Sequence, residues 1–387
     1  MAGSALLESD TVVVGGGIVG LCLAWFLATE GVEVAVLDDG SDAGTTANAG
    51  SLHVQIQSRL IRRFPELLPG VEAALPMYPL AVRHWQRLTG LLPIDIDLRL
   101  TGGLMVAEDD EQLDFLRAKA ARERALGLEV EILERRALDR IAPYLGPAVV
   151  GAERCASEGK VDPLAANTAI AAATRAAGVA LQRGTRVLGI TPDGAGYALR
   201  TTAGMVRAGR LVIAAGAGTG ALLAPLGVAV PTAAEPLHMN VTEPAAPLIG
   251  HLVQHAERMI TMKQLATGQL VIGGGWPARA GKGGRPPEVL RTSLAGNLGL
   301  AVHIVPEVAR ARLLRSWAGI NTTTDGRSVL GPVPGRPGLY VALPGDAGYT
   351  LGPLVARLVA DHMLGRRPEL DLEAYTADRF RTKAPAF

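Results

Sequence analysis

Residues 10–39, DTVVVGGGIVGLCLAWFLATEGVEVAVLDD, set the pattern of apolar runs and breaks from which the rest of the chain is read. Residues 11–14 are β-branched and apolar, which suits a strand buried on both faces of a parallel sheet. Spaced glycines end that run. An amphipathic helix then carries the chain to a second apolar strand at 33–37, closing on Asp38 and Asp39. Residues 41–51 are too rich in glycine, hydroxyl and small side chains for a regular element and predict a loop. Over 52–61 the apolar run is interleaved with His53, Gln55, Gln57 and Arg59, so its polar side is suited to face a substrate.

Helical spacing over 60–92 is broken by Pro65, Pro69, Pro76 and Pro79 and predicts short helices. Residues 98–108 read as strands around a Gly-Gly turn. A helix follows over 110–126, capped by Asp109 or Asp110, with Leu113, Leu116 and Ala120 on its apolar face. Its charges, Arg117, Lys119, Arg122, Glu123 and Arg124, predict a solvated face. Another short helix is expected at 133–141, and an alanine-rich one from Pro163 to about Gly178. Short strands are then expected at 179–183, 185–190 and 211–214, with hairpin turns at 193–196 and 203–204. Residues 231–244 and 253–275 alternate apolar and polar around an Ala-Thr-Gly turn, as long antiparallel strands do. A loop at 281–287 leads to a helix over 289–304 with a Gly-Asn interruption, and a strand at 338–343 precedes a glycine-rich turn and an amphipathic helix.

The glycines of the first turn, Gly15, Gly17 and Gly20, spell G-x-G-x-x-G. They sit between a strand and a helix, and an acid follows about 20 residues on, the arrangement that binds a dinucleotide. The first glycine permits the turn, the second lets backbone approach a pyrophosphate, and the third lets helix pack on strand. The helix amides and dipole then face the phosphates.

A length of 387 residues allows two domains and a large core. The net charge of +1, with no basic stripe interleaved with aromatics, argues against nucleic acid. Cys22 and Cys155 are the two cysteines, too few for a metal cluster, so no metal site is expected. Residues 12–27 contain four glycines and lack a basic flank, which argues against a signal peptide. No stretch is apolar enough to span a bilayer, so membrane association would be peripheral at most and a cytoplasmic location is expected.

The string VVVGGGIVGLCLAWFLATEGVEVAVLD followed by GTTANAGSLH resembles the FAD-binding start of the D-amino-acid oxidase (DAO) superfamily. That group includes glycine and sarcosine oxidases, D-amino-acid dehydrogenases, and the FAD subunits of opine and D-hydroxyproline dehydrogenases. The resemblance continues at the strand carrying Val187, at GRLVIAAGAGTG and at PGDAGYTLG, in the family's order. It implies an α/β chain, α+β overall, with a Rossmann-like FAD-binding domain split in sequence and an antiparallel-sheet substrate domain. The expected division is 1–90, 155–225 and 320–387 for FAD, with 91–154 and 226–319 for substrate and interface. FAD contacts are implied for Gly15, Gly17, Ile18, Val19, Gly20, Asp38 and Asp39, with Asp38 where many members have Glu. They are also implied for Thr45, Thr46, Asn48, Ala49, Gly50 and Leu52 in the loop, and for Val187, Ala214, Ala215 and Gly216. Gly345, Asp346, Ala347, Gly348, Tyr349, Thr350 and Leu351 would line the flavin ring.

The implied chemistry is oxidation of a C–N bond by hydride transfer to flavin N5, after which the imine hydrolyses. Candidate catalytic side chains are His53, His255, Lys263 and Tyr349; His53, Arg59, His255 and Trp276 are candidates for substrate. Relatives that use amino acids often place an arginine soon after a Trp-Ala-Gly-like segment, but here WAGINTTTDGRS has Ile320 and Asn321. A substrate carboxylate would then fall to Arg59, Arg258 or Lys263, or the substrate is larger. The strings NAGSLHVQIQSR and GGGWPA are most similar to the FAD subunits of opine and D-hydroxyproline dehydrogenases. This implies a larger partner subunit with an interfacial FMN or an iron–sulfur centre. A stand-alone D-amino-acid, glycine or sarcosine oxidase using oxygen is the alternative, and an electron-transfer flavoprotein without its own substrate a third.

Overall fold

The computed structural model describes residues 7–41, 44–281 and 285–381, so residues 42–43 and 282–284 of the two expected loops lie outside it. The chain divides into two compact units, each discontinuous in sequence. One comprises residues 1–46, 167–234 and 321–387, the other 47–166 and 235–320. Residues 47–90 and 155–166 thus belong with the second unit, where the sequence reading puts them in the first.

The first unit is built on a twisted sheet in the order Val329–Pro332, Leu339–Leu343, Gly204–Ile213, Leu7–Val14, Val34–Asp38, Ala180–Arg183. Its interior pairs are parallel, and Val329–Pro332 closes one edge antiparallel. Val12 and Val13 are fully buried between Leu211–Val212 and Ala35–Val36, which is why a β-branched run was needed there. The expected hairpins form Val187–Asp193, Gly196–Thr201 and the start of Gly204–Ile213. Ile18–Ala28 is a helix, but it is not amphipathic: Ile18 through Leu27 are all buried. The Gly348–Met363 helix packs beside it, with Gly352 against Ile18 and Val19, and Thr174 of the Pro163–Ala176 helix donates its hydroxyl to Leu21 O at 3.2 Å.

The second unit carries the other eight-stranded sheet, ordered Leu313–Thr323, Ala233–Pro244, Gln269–Gly273, Thr261–Gln264, Leu252–His255, Gly103–Ala107, Gly151–Cys155, Val130–Glu134. Most pairs with a defined register are antiparallel; Leu252–His255 runs parallel to Gly103–Ala107. Several elements differ from expectation. Residues 98–108 make one strand, Gly103–Ala107, because both its edges are taken by distant strands rather than by a hairpin. Residues 133–141 split: Val130–Glu134 joins the sheet edge, and the helix begins at Arg135. Residues 253–275 form three strands rather than two, and Arg291–Ile304 is an uninterrupted helix.

Asp109 caps the Asp110–Ala125 helix, its side chain accepting from the Gln112 N–H at 2.8 Å. The solvated face expected on this helix is not all solvated. Lys119 is 3% exposed and Glu123 fully buried. The strand Gly151–Cys155 brings Glu153 to Lys119, and residues 55–56 cover the same turn, so the helix period alone misjudged this face. Among the described residues, no helix is long and apolar enough to cross a membrane.

Candidate functional site

The glycine turn of the first unit is shaped by close backbone approaches. Gly15 has φ +114°, its N–H donates to Leu37 O at 2.8 Å, and a Cβ there would strike Ala214 O. A Cβ on Gly20 would strike Gly15 O, so the helix starts directly on the turn. A Cβ on Gly16 would lie 2.8 Å from Asp38 Oδ2, which places the Asp38 carboxylate across the turn. Asp39 turns away, accepting from Ser41 N–H at 2.9 Å and facing Arg186 at 3.5 Å.

Thr45 Oγ1 accepts from Ile18 N–H at 3.0 Å, and Thr45 O accepts from Asn167 Nδ2 at 3.0 Å. Tyr349 in turn donates its hydroxyl to Asn167 Oδ1 at 2.9 Å. One chain of hydrogen bonds thus joins the first helix, the loop at Thr45–Thr46 and the start of the last helix. Asn167 had no signal in the sequence beyond its place in an alanine-rich helix. Val187 opens its strand, buried, and Ala214 continues from Ile213 with its N–H on Val14 O at 2.8 Å. Ala215 and Gly216 lead into a short helical turn. Gly345 has φ +80°, Asp346 accepts from Asn321 Nδ2 at 2.7 Å, and Gly348, Thr350 and Leu351 form the first turn of the last helix with no side-chain cap. Glycines that a Cβ would block and two helix starts whose own N-cap residues, Gly17 and Ala347, give no side-chain bond, with an acid beside the first turn, fit the extended dinucleotide FAD.

In the second unit Asn48 Oδ1 accepts from Gly50 N–H at 2.7 Å, and Gly50 O accepts from Val161 N–H at 2.9 Å. Trp317 holds Ala47 O through its indole N–H at 2.9 Å, so Asn48, Ala49 and Gly50 lie on a tethered loop. Ser51–Leu52 then pairs antiparallel with Gly159–Lys160. Lys263, fully buried, donates to Ser51 Oγ at 2.8 Å. Burial pushes its pKa well below the ordinary lysine value, and the nearby Lys160 adds to that. Arg59 is engaged by Glu235 at 3.3 Å and by Gln57 at 3.0 Å. His53 follows Leu52 directly, and the amides after it turn to buried carboxylates: Val54 N–H donates to Glu158 at 2.7 Å and Ile56 N–H to Glu123 at 2.5 Å.

The sheet separates the remaining candidates. Val253 pairs with Met262, and both lie in the core packed under the Arg291–Ile304 helix. By strand alternation His255 shares that side, whereas Gln254 and Lys263 project to the other. His255 Nδ1 accepts from the N–H groups of Glu257 and Arg258 at 2.9 and 3.0 Å, and its Nε2 lies 3.2 Å from Glu108. That arrangement requires a neutral ring with its proton on Nε2, and burial holds its pKa down to about 4. Arg258 also pairs with Glu108, and His303 approaches the same carboxylate at 2.6 Å. Trp276 donates its indole N–H to Met259 O and lines, with Arg63, Arg258 and His303, a cleft of about 470 Å³. His255, Arg258 and Trp276 are therefore grouped together, and Lys263 is apart from them.

The family model described as "FAD dependent oxidoreductase" (DAO) matches residues 10–362. Glycine oxidase of Geobacillus kaustophilus is 28% identical over 373 residues, covering 96% of this chain and 97% of that protein. An opine oxidase subunit of Rhizobium meliloti is 27% identical over 381 residues, covering 97% and 98%. The crystal structure of the Geobacillus glycine oxidase matches with a TM-score of 0.82 at 27% identity over 96% of this chain and 98% of that one. L-proline dehydrogenase of P. horikoshii, at 23% identity, shares the fold with a TM-score of 0.84 over 97% and 99%. The chain belongs to the DAO family of FAD-dependent oxidoreductases, which act on amino-acid or amine C–N donors, with FAD as its main cofactor.

Proposed function

We propose that this chain oxidises an amine that carries a carboxylate, as the FAD subunit of a heteromeric dehydrogenase of the opine or D-hydroxyproline type. Lys263 carries the reading. Of the three cations able to hold a carboxylate, Arg59 and Arg258 already face Glu235 and Glu108, whereas Lys263 faces the Ser51 hydroxyl with Lys160 nearby. Burial disfavours the charged form of Lys263 and holds its pKa well below the ordinary lysine value, and an anionic group brought beside it raises its proton affinity. In this reading the buried lysine answers the acid group of the ligand. Bound FAD supplies the two-electron acceptor for the C–N bond. The protein supplies orientation through the tethered loop at 47–52.

The heteromer is supported by the likeness to the opine oxidase subunit along nearly all of both chains. Cys22 and Cys155 are both buried, and an iron–sulfur centre, like an interfacial FMN, would belong with a partner. The comparable likeness to glycine oxidase favours a second reading, a free-standing oxidase that passes electrons to oxygen.

Anaerobic addition of D-amino acids, glycine, sarcosine, D-hydroxyproline, proline and opines to the yellow protein tests both. Bleaching by one of them that air reverses slowly supports the dehydrogenase; fast reoxidation with peroxide moves the reading to the oxidase. Bleaching by amines lacking a carboxylate, as strongly as by their acid analogues, overturns the role of Lys263. In Lys263→Met the bleaching amine should bind at least ~10-fold more weakly, since a paired charge is lost from a dry site.

A further inference from the structure

Glu158 is fully buried, and every partner the structure gives its carboxylate is a donor. Oε1 accepts from the backbone N–H groups of Val54 and Gln55 at 2.7 and 3.1 Å. Oε2 accepts from Gln55 Nε2 at 2.8 Å and Gln254 Nε2 at 3.1 Å. Four donors and no acceptor suit an ionised carboxylate alone. A protonated acid, or a glutamine, must aim a hydrogen at one of them. Gln55 is not free to turn its amide over, because its Oε1 accepts from Lys119 at 3.3 Å. The next amide, Ile56 N–H, goes to Glu123. Three successive N–H groups are therefore held by two buried side chains rather than by a neighbouring strand. They follow His53 and precede Gln57.

We propose that Glu158 is a positioning residue, whose ionised carboxylate fixes the backbone at Val54 and Gln55 and so sets where His53 and Gln57 stand toward the amine. This rests on the reading that segment 53–57 borders the substrate. The surroundings make the arrangement responsive to pH. Burial raises the Glu158 pKa to about 7, against the pull of its hydrogen bonds from Gln55 and Val54 and of Lys119. The helix Asp110–Ala125 presents Lys119 and Glu123 to the group, and the strand Gly151–Cys155 presents Glu153 and the Cys155 thiol. The strands at Gly103 and Gln254 bring no charge, and Gly103 has no room for a Cβ beside Oε2. On acidification through about 7 the proton enters a cage of donors, and the easiest relief is to turn Gln254 over or to release an amide of the segment.

Two measurements test this. Hydrogen exchange at pH 8 should show the Val54–Ile56 amides exchanging at least ~10-fold faster in Glu158→Gln, with residues 18–28 of the first helix unchanged as a control for folding. With an amine that bleaches the flavin, the wild-type reduction rate should fall as pH drops through about 7. Glu158→Gln should be slower by ~10- to 100-fold at pH 8 and lack that limb. Gln254→Leu, which removes a single donor and retains the fold should Glu158→Gln lose it, should move the limb to higher pH. Unchanged exchange in Glu158→Gln, or an acid limb that neither variant alters, overturns the inference even where the wild type oxidises an amine. A wild type that oxidises none of the amines overturns the proposed function instead, and the exchange result alone then decides this one.

Discussion

In the first unit the turn expected to meet the cofactor is shaped by backbone, with no room for side chains at Gly15, Gly17 and Gly20. In the second unit the polar groups gathered around residues 51–56 are long side chains, Lys119, Glu123, Glu153, Glu158 and Lys263, each drawn fully or almost fully out of water. The first arrangement costs little when empty, because the amides at a helix start are solvated or held by Thr45. The second is held only while every member keeps its partner, since an unpaired buried charge is expensive. A dinucleotide site of the first kind can be shared by many enzymes. A site of the second kind is specific to one arrangement of the sheet, and pH and single substitutions act on it strongly.

The sharpest way to break this comparison is Lys119→Met. Its ammonium lies 3.0 Å from Glu123 and 2.9 Å from Glu153, all three buried, so its loss should cost about 3–5 kcal/mol of stability in urea unfolding. Replacing all three by apolar residues of similar volume should recover only part of that loss, since Ile56 N–H and Gln55 Oε1 then lose their buried partners. A neutral Lys119→Met would show that the network is not held by charge. Gly20→Ala tests the other side: a Cβ there meets Gly15 O, and relief of the overlap costs on the order of 1–3 kcal/mol. Its main effect should be loss of FAD, read as the ratio of flavin to protein absorbance, and a fully yellow Gly20→Ala would refute the close-approach argument.

The smallest effect is a slope. Burial raises Glu153 to about 9, helped by the Glu123 carboxylate beside it and opposed by Lys119. Both Glu153 and Glu158 stand above the ordinary 4.5, so the folded chain binds their protons more tightly than the unfolded one. Their contribution to stability is complete below about pH 4.5 and is lost as pH rises through about 7 and then about 9. Wild type should therefore lose more stability between pH 7 and 9.5 than Glu153→Gln, by roughly 1 kcal/mol or more in paired urea titrations. Equal slopes would mean that Glu153 is ionised throughout.

The elements of the first unit were legible because each is decided locally. A β-branched run, a glycine turn and an acid at a fixed distance leave one sensible arrangement, and the structure has it from Leu7 to Asp38. The cap at Asp109 and the helix start at Pro163 were legible for the same reason. Elsewhere partners distant in sequence decided. Residues 130–134 became a strand because Gly151–Cys155 offered an edge, and residues 98–108 made no hairpin because Leu252–His255 took the place beside them. His255 was a candidate for catalysis and for substrate, yet the lone pair of its Nδ1 is spent on two backbone N–H groups that its own turn supplies.

The sequence by itself determined the dinucleotide turn, the resemblance to the DAO family that goes with it and the buried identity of the first strand, all from spacing within thirty residues or from short strings. Tertiary structure alone decided that Lys119 and Glu123 leave the solvent, that Glu158 meets four donors, and that Lys263 and His255 stand on opposite sides of one sheet. The physical reason is range. Steric and conformational preferences act between neighbours and are written in local order, whereas burial and charge pairing depend on which distant segments arrive, and the same charged residue suits either water or a partner.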